Sequence, residues 1–171
     1  MAVLGGLNQG LVFVISAPAG TGKTTLVRML REEFHCIVES VSYTTRTPRV
    51  NEIPGRDYYF ISPEEFKQKI GEGEFLEFAQ VFGNYYGTSR KFVEGQQEKG
   101  KHVVLVIDTQ GALQLKGKIE AIFIFISPPN LEELKFRLHS RKSETDDAIL
   151  HRLSWAEKKR SAWQTSTIII L

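Results

Sequence analysis

The chain has 171 residues, 42% of them hydrophobic and 25% charged, which fits a single folded domain and excludes disordered, collagen-like and low-complexity classes. A formal net charge of +2 argues against nucleic acid or a membrane surface as the main partner, and no apolar run approaches the roughly 18–20 residues that span a bilayer. MAVLGGLNQG lacks the basic start of a secretory signal, and the single cysteine, Cys36, excludes an internal disulfide, so a soluble cytoplasmic protein is expected.

The first predicted element is a strand over residues 11–15, a short continuous apolar run of the kind buried on both sheet faces. A Gly/Pro/Ala turn ends it, and helical spacing follows, with Leu26, Val27, Leu30 and Phe34 on one face. Tyr58, Tyr59, Phe60 and Ile61 read as a strand leading into Ser62-Pro63-Glu64-Glu65, where Ser62 can cap, Pro63 suits the first helical position and Glu65 closes a capping box. That helix should stop at Gly71. Residues 74–80 read as a strand, with Gly83-Asn84 as a turn after it. Apolar runs over 103–107 and 121–126, and a shorter one over 167–171, predict further strands. Asn130 and Glu133 bracket a helix start ahead of Leu131, Leu134 and Leu138, and Thr145-Asp146-Asp147 opens another helix, with Ile149, Leu153, Ala156 and Trp163 on one stripe. Buried strands alternating with helices give the fold class, α/β around a largely parallel sheet. Residues 42–99, rich in Gly, Pro, Tyr and charge, read as a small mixed subdomain inserted into it.

APAGTGKT, from Ala17 to Thr24, follows a buried strand and opens a helix, the context that makes a P-loop credible. Gly20 and Gly22 allow successive backbone N–H groups to turn inward as an anion nest, and the helix N-terminus adds partial positive charge. Lys23 would reach the β- and γ-phosphates of a nucleoside triphosphate, and the Thr24 hydroxyl would ligate Mg²⁺. The motif usually opens on glycine; Ala17 stands there, so a backbone conformation that alanine tolerates is expected.

SYTTRTPR, from Ser42 to Arg49, puts two arginines three apart around a proline, a fork able to grip a second phosphate, with Tyr58 and Tyr86 as hydroxyl donors. Glu77 lies in GEFLEFA, ahead of GNYYGTS. Asp108 ends the run VVLVID at the carboxyl edge of the sheet, placed to orient Mg²⁺-bound water or an arginine, or to cap the following helix. Arg137, Arg141 and Arg152 flank a polar stretch over 139–147, either as charge placed around a transferring group or as a solvated helix face. The four histidines and Cys36 show no metal-ligand spacing.

In family order from Leu11 to Arg152, the P-loop, SVSYTTRTPR with Glu52 and GRDYYF, GEFLEFAQVFGNYYGTS, IDTQGA and SPPNLEELKFRL resemble the guanylate kinases of the nucleoside-monophosphate kinase family. The resemblance implies a P-loop core (about 1–41, 100–130 and 163–171), a GMP-binding insert (42–99) and a helical lid (131–162), as one guanylate kinase-like domain. It implies transfer from ATP to GMP with Mg²⁺ held at Thr24, by a monomer or homodimer. By motif, Ala17, Pro18, Ala19, Gly20, Thr21, Gly22, Lys23, Thr24, Thr25 and Arg141 fall at ATP-binding positions. Arg46, Arg49, Tyr58 and Tyr86 fall at the GMP phosphate with Glu52 in support, and Ser42, Glu77 and Thr88 at the guanine. Lys23, Arg137 and Arg152 fall at catalytic positions. The family usually has a second aspartate where this chain has Val106, so Asp108 either takes over its GMP contact or only caps; Lys142-Ser143 stands where Gly-Thr is usual. Two other readings fit parts of the pattern. One is an inactive guanylate kinase-like interaction module, which would tend to lose the P-loop; the other is a sugar-phosphate kinase, against which Ser42, Glu77 and Thr88 argue.

Overall fold

The structure, a computed structural model, describes residues 9–17, 21–127, 132, 135 and 167–170. Strand β1 (Val12–Ser16) is the middle of a five-stranded parallel sheet with β2 (Ile37–Ser40), β7 (His102–Ile107), β8 (Ile122–Ser127) and β9 (Thr167–Ile170), ordered β2-β7-β1-β8-β9. The alternation of strand residues sends Val12, Val14, Val103, Leu105 and Ile107 to one face, where Val93, Ala112, Leu115 and Phe125 complete a buried cluster. Ile15, Val104 and Ile126 go to the other face and pack with Ala17, Val27 and Ile37. Each Val, Leu, Ile or Phe among them contributes about 1.5–3 kcal/mol on full burial, so both faces hold the sheet in place.

Helix α1 (Lys23–Glu33) covers the second face through Val27. Phe34, expected on its apolar stripe, lies just past its end as the C-cap, in extended backbone and 38% exposed. Helix α3 (Arg90–Glu98) supplies Val93, and α4 (Thr109–Leu115) supplies Ala112 and Leu115, to the first face.

A second sheet, β4-β3-β6-β5, is built from β3 (Tyr43–Thr44), β4 (Tyr59–Phe60), β5 (Phe75–Val81) and β6 (Asn84–Ser89). Helix α2 (Pro63–Gly71) begins as its sequence predicts: the Ser62 hydroxyl accepts the Glu65 N–H, Pro63 opens the helix and Gly71 ends it. Phe66 is fully buried, stacked on Phe75 (4.5 Å between centroids) and Tyr85 (5.3 Å), so aromatic packing joins α2 to this sheet. The β5–β6 hairpin turns at Phe82-Gly83, one residue earlier than expected, with both φ angles positive (50° and 80°) and Asn84 already paired with Val81. That is the backbone a tight two-residue hairpin requires. Between Phe75 and Glu77 the register shifts, and Glu77 then pairs directly with Thr88.

The helices expected around 130–163 lie outside the described residues, except that Glu132 and Lys135 are helical and exposed. The strand expected over 167–171 is found as β9, at the sheet edge beside β8.

Candidate active site

Ser16 ends β1, and the chain enters the phosphate loop at its carboxyl end. Ala17 is buried and is not among the residues with positive φ, so alanine is tolerated at the motif's first position. Gly22 is the N-cap of α1 with φ 94° and supplies no side-chain cap to the first backbone N–H groups of the helix. Those are the groups an anion would satisfy. Lys23 Nζ donates to the Ala17 carbonyl at 2.8 Å, Thr21 is buried, and Thr24 and Thr25 are exposed. Pro18, Ala19 and Gly20 lie outside the described residues, as do Arg137, Arg141 and Arg152.

A second group gathers on the insert. Arg46 Nη2 donates to both Glu52 oxygens, at 2.8 and 3.0 Å, and Nη1 donates to the Thr47 carbonyl. The guanidinium lies over the Tyr58 ring, 5.4 Å from its centroid, and Tyr86 is a further partner. Glu52 also accepts the backbone N–H of Arg49 at 2.8 Å. Partial burial works against the charge on Glu52, but the hydrogen bonds from Arg46 and Arg49 and their positive charge outweigh it and hold the carboxyl below the usual range. For Arg46 the same contest ends with its charge favoured, against burial, by Glu52 and Tyr86. Burial and the neighbouring Tyr86 push the Tyr58 hydroxyl up, so Tyr58 stays a neutral donor. Arg49 is exposed, and its guanidinium makes no hydrogen bond among the described residues. The expected fork is therefore asymmetric, with one arginine held rigidly by a carboxylate and the other open to solvent.

Sequence reasoning missed how this group is anchored. The Thr44 hydroxyl accepts the Arg46 N–H and donates to the Tyr85 carbonyl, while Thr45 Oγ1 accepts the Tyr85 N–H. The signal was the Thr-Thr pair before Arg46, which reads as ordinary strand composition until its partner strand is known.

Glu77 and Thr88 form the third group. Glu77 is 5% exposed, and the fully buried Thr88 hydroxyl donates to its Oε1 at 2.6 Å. Burial pushes the Glu77 carboxyl up to about 7; the Thr88 hydrogen bond opposes this and the nearby Asp108 carboxylate adds to it. Asp108 is the N-cap of α4, with Oδ1 accepting from the N–H groups of Gln110 (2.9 Å) and Gly111 (3.0 Å), so its capping role is realised. Val106 is half-buried against the α1 side of the sheet. Ser42 is half-buried before β3; its carbonyl accepts the Tyr59 N–H, and no hydrogen bond among the described residues ties its hydroxyl to Glu77 or Thr88. The structure thus joins Glu77, Thr88 and Asp108 in one place, and Arg46, Glu52, Tyr58 and Tyr86 in another.

Elsewhere, His102 is structural: buried in β7, it accepts the Leu11 N–H on Nδ1 at 3.0 Å. No cluster of three or more metal-ligating side chains occurs among the described residues.

This arrangement can hold one polyphosphate at a helix N-terminus, a second phosphate at a guanidinium, and a base with two adjacent donors at a buried carboxylate. The profile of one protein family, described as "Guanylate kinase", matches residues 9–170. A guanylate kinase of Protochlamydia amoebophila is 54% identical over 163 residues, 95% of this chain and 83% of the relative. One of Clostridium perfringens is 50% identical over 153 residues, 89% of this chain and 71% of the relative. The crystal structure of guanylate kinase from Anaplasma phagocytophilum superposes with a TM-score of 0.75 at 36% identity, covering 95% of this chain and 77% of that one.

Proposed function

Because the chain belongs to the guanylate kinase family, we infer that it moves the γ-phosphoryl group of ATP to GMP, giving ADP and GDP. The observation that carries the choice of acceptor is the buried Glu77–Thr88 pair. An ionised Glu77 accepts from guanine N1–H and the exocyclic amine; against adenine it would face an acceptor and remain an unpaired buried charge. Arg46, kept in place by Glu52, takes the GMP phosphate with Tyr58 and Tyr86, and the open Arg49 side chain adds a second cation. Ser42 completes the guanine edge, and Asp108 supports it by fixing the first turn of α4.

On the donor side, backbone N–H groups of the loop up to Gly22 hold the ATP phosphates, and Lys23 leaves the Ala17 carbonyl to follow the γ-phosphoryl group during transfer. Thr24, exposed at the second residue of α1, offers a hard oxygen suited to Mg²⁺ arriving with ATP. When bound, that ion would neutralise negative charge on the phosphates. Arg137 and Arg152 are assigned to the transferring group and Arg141 to the adenine side, so that closing over both nucleotides excludes water as a rival acceptor. Cytoplasmic purine nucleotide metabolism is the setting this chemistry fits. An interaction module would have no use for a loop ending in Gly22-Lys23-Thr24 at the head of a helix.

The test is a coupled assay of ADP release with GMP and AMP as rival acceptors. GMP should exceed AMP by at least ~100-fold in kcat/KM, since a site whose buried polar groups are left unmatched rejects a wrong ligand by up to ~10⁴–10⁵-fold; equal turnover would refute the assignment of guanine.

A further inference from the structure

Gly111 stands in the first turn of α4 with its backbone outside the positive-φ region, so no conformational demand explains a glycine there. In a helix interior, alanine would be better by about 0.5–1 kcal/mol. Space explains it instead. A Cβ built on Gly111 would overlap Glu77 Oε2 and stand 3.0 Å from Glu77 Cδ, and its next neighbour, Ile107 Cδ1, is at an ordinary 3.5 Å. The obstacles are therefore atoms of one carboxylate. Neither side can retreat freely: Glu77 Oε1 is held by the Thr88 hydroxyl at 2.6 Å, and the Gly111 N–H is held by Asp108 Oδ1 at 3.0 Å.

We propose that Gly111 is a specificity-determining positioning residue for the acceptor base: its missing side chain is the seat that fixes where the Glu77 oxygens stand. The inference rests on the GMP reading above. Guanine presents two donors side by side, so both oxygens must be in register to accept from both. Relieving the overlap with a methyl group at 111 requires the carboxylate to shift by on the order of 1 Å, and a misplacement of that size can cost about 100-fold.

The experiment compares Gly111→Ala with the unaltered chain, using GMP, IMP (which keeps the N1–H but lacks the exocyclic amine) and ATP. The expected result is a GMP KM raised about 10- to 100-fold, kcat at saturating GMP within about threefold, an unchanged ATP KM, and a GMP-over-IMP preference reduced at least tenfold. A variant with the GMP KM and the GMP-over-IMP preference of the unaltered chain would overturn the proposal. Melting temperatures keep it testable where Gly111→Ala is too unstable for kinetics. Gly111→Ala should lower the melting temperature when Glu77 is present. In a Glu77→Ala background, where the methyl has room and the helix gains, it should leave the temperature unchanged or raise it. Equal losses in both backgrounds would overturn the proposal. If the unaltered chain fails to prefer GMP to AMP, it is the functional reading that fails, while the melting cycle still reports on the seat.

Discussion

Glu77→Gln separates the charge of this buried group from its shape. The amide keeps an oxygen to accept from the Thr88 hydroxyl, so the cross-strand hydrogen bond survives, while the negative charge is gone. In the folded chain the Glu77 carboxyl is raised from 4.5 to about 7, by burial first and by Asp108 second. A raised folded pKa stabilises the fold below the unfolded value, and that contribution is lost as pH rises through the folded value. At about 1.4 kcal/mol per pH unit, the ionised form costs the fold roughly 3 kcal/mol above pH 7. For a domain of this size, 1 kcal/mol is worth roughly 2–4 °C. The melting temperature of Glu77→Gln minus that of the unaltered chain should therefore grow by roughly 6–12 °C between about pH 4.5 and 7 and then level off. Any fixed penalty for seating the amide group drops out of this pH-dependent part. The assay is a thermal melt over pH 4.5–9 without nucleotide, repeated at one fixed GMP concentration, which should stabilise the unaltered chain more than the variant. A difference that is flat with pH, or that shrinks as pH rises, would refute the claim that a desolvated carboxylate occupies this site.

Lys23→Met keeps length and removes charge; kcat should fall at least ~100-fold with GMP affinity unchanged, as measured by steady-state kinetics and a separate GMP titration. Arg46→Lys removes the planar fork that spans both Glu52 oxygens, so the GMP KM should rise about tenfold or more while the ATP KM stays put. Gly22→Ala meets no atom of the described residues within 4 Å but must hold φ at 94°, which should lower stability by about 1–2 kcal/mol in a denaturant titration. The preference for GMP over AMP should narrow as pH falls below 7, because a protonated Glu77 is no longer an unpaired charge against adenine and can donate to its N1; rival-acceptor assays at pH 5.5 and 8 measure it.

What could be read from the sequence followed burial. Strands β1, β7 and β8 lie inside the sheet and show as unbroken apolar runs, and α2 announced itself through Ser62, Pro63 and Gly71. Strand β2 escaped notice because it is an edge strand with a half-buried Glu39 in its middle, and β3 because it is two residues long. Helix α3 was equally silent: it buries only Val93 and carries Gly95, so no apolar stripe marks it. The hairpin turn was misplaced by one residue because Phe82 takes a left-handed conformation that phenylalanine rarely adopts, a choice made by strand pairing and not by local preference. At the site, the phosphate loop and Glu77 were visible as residue types in a pattern. The crowding of Glu77 against Gly111 depends on a contact between segments distant in the chain, and the bidentate pairing of Arg46 with Glu52, only six residues on, depends on the local backbone path; spacing alone encodes neither.

The two charged groups of the insert, Arg46 and Glu77, are prepared in opposite ways, and on the GMP reading this divides affinity from selectivity. Arg46 arrives neutralised: Glu52 fixes its guanidinium before any phosphate comes, so little side-chain freedom remains to be lost on binding. Its contribution is the same for any nucleoside monophosphate. Among the described residues Glu77 has no cation beside it, one hydroxyl for a hydrogen-bond partner and an acidic neighbour at Asp108. A base with two donors relieves that penalty, and a base presenting an acceptor there deepens it. If guanine recovers most of the roughly 3 kcal/mol that the ionised group costs the fold, that recovery alone is worth about two orders of magnitude in preference over adenine. Selectivity then scales with how badly the empty site treats its own carboxylate, and any change that solvates Glu77 should stabilise the fold and weaken the discrimination together.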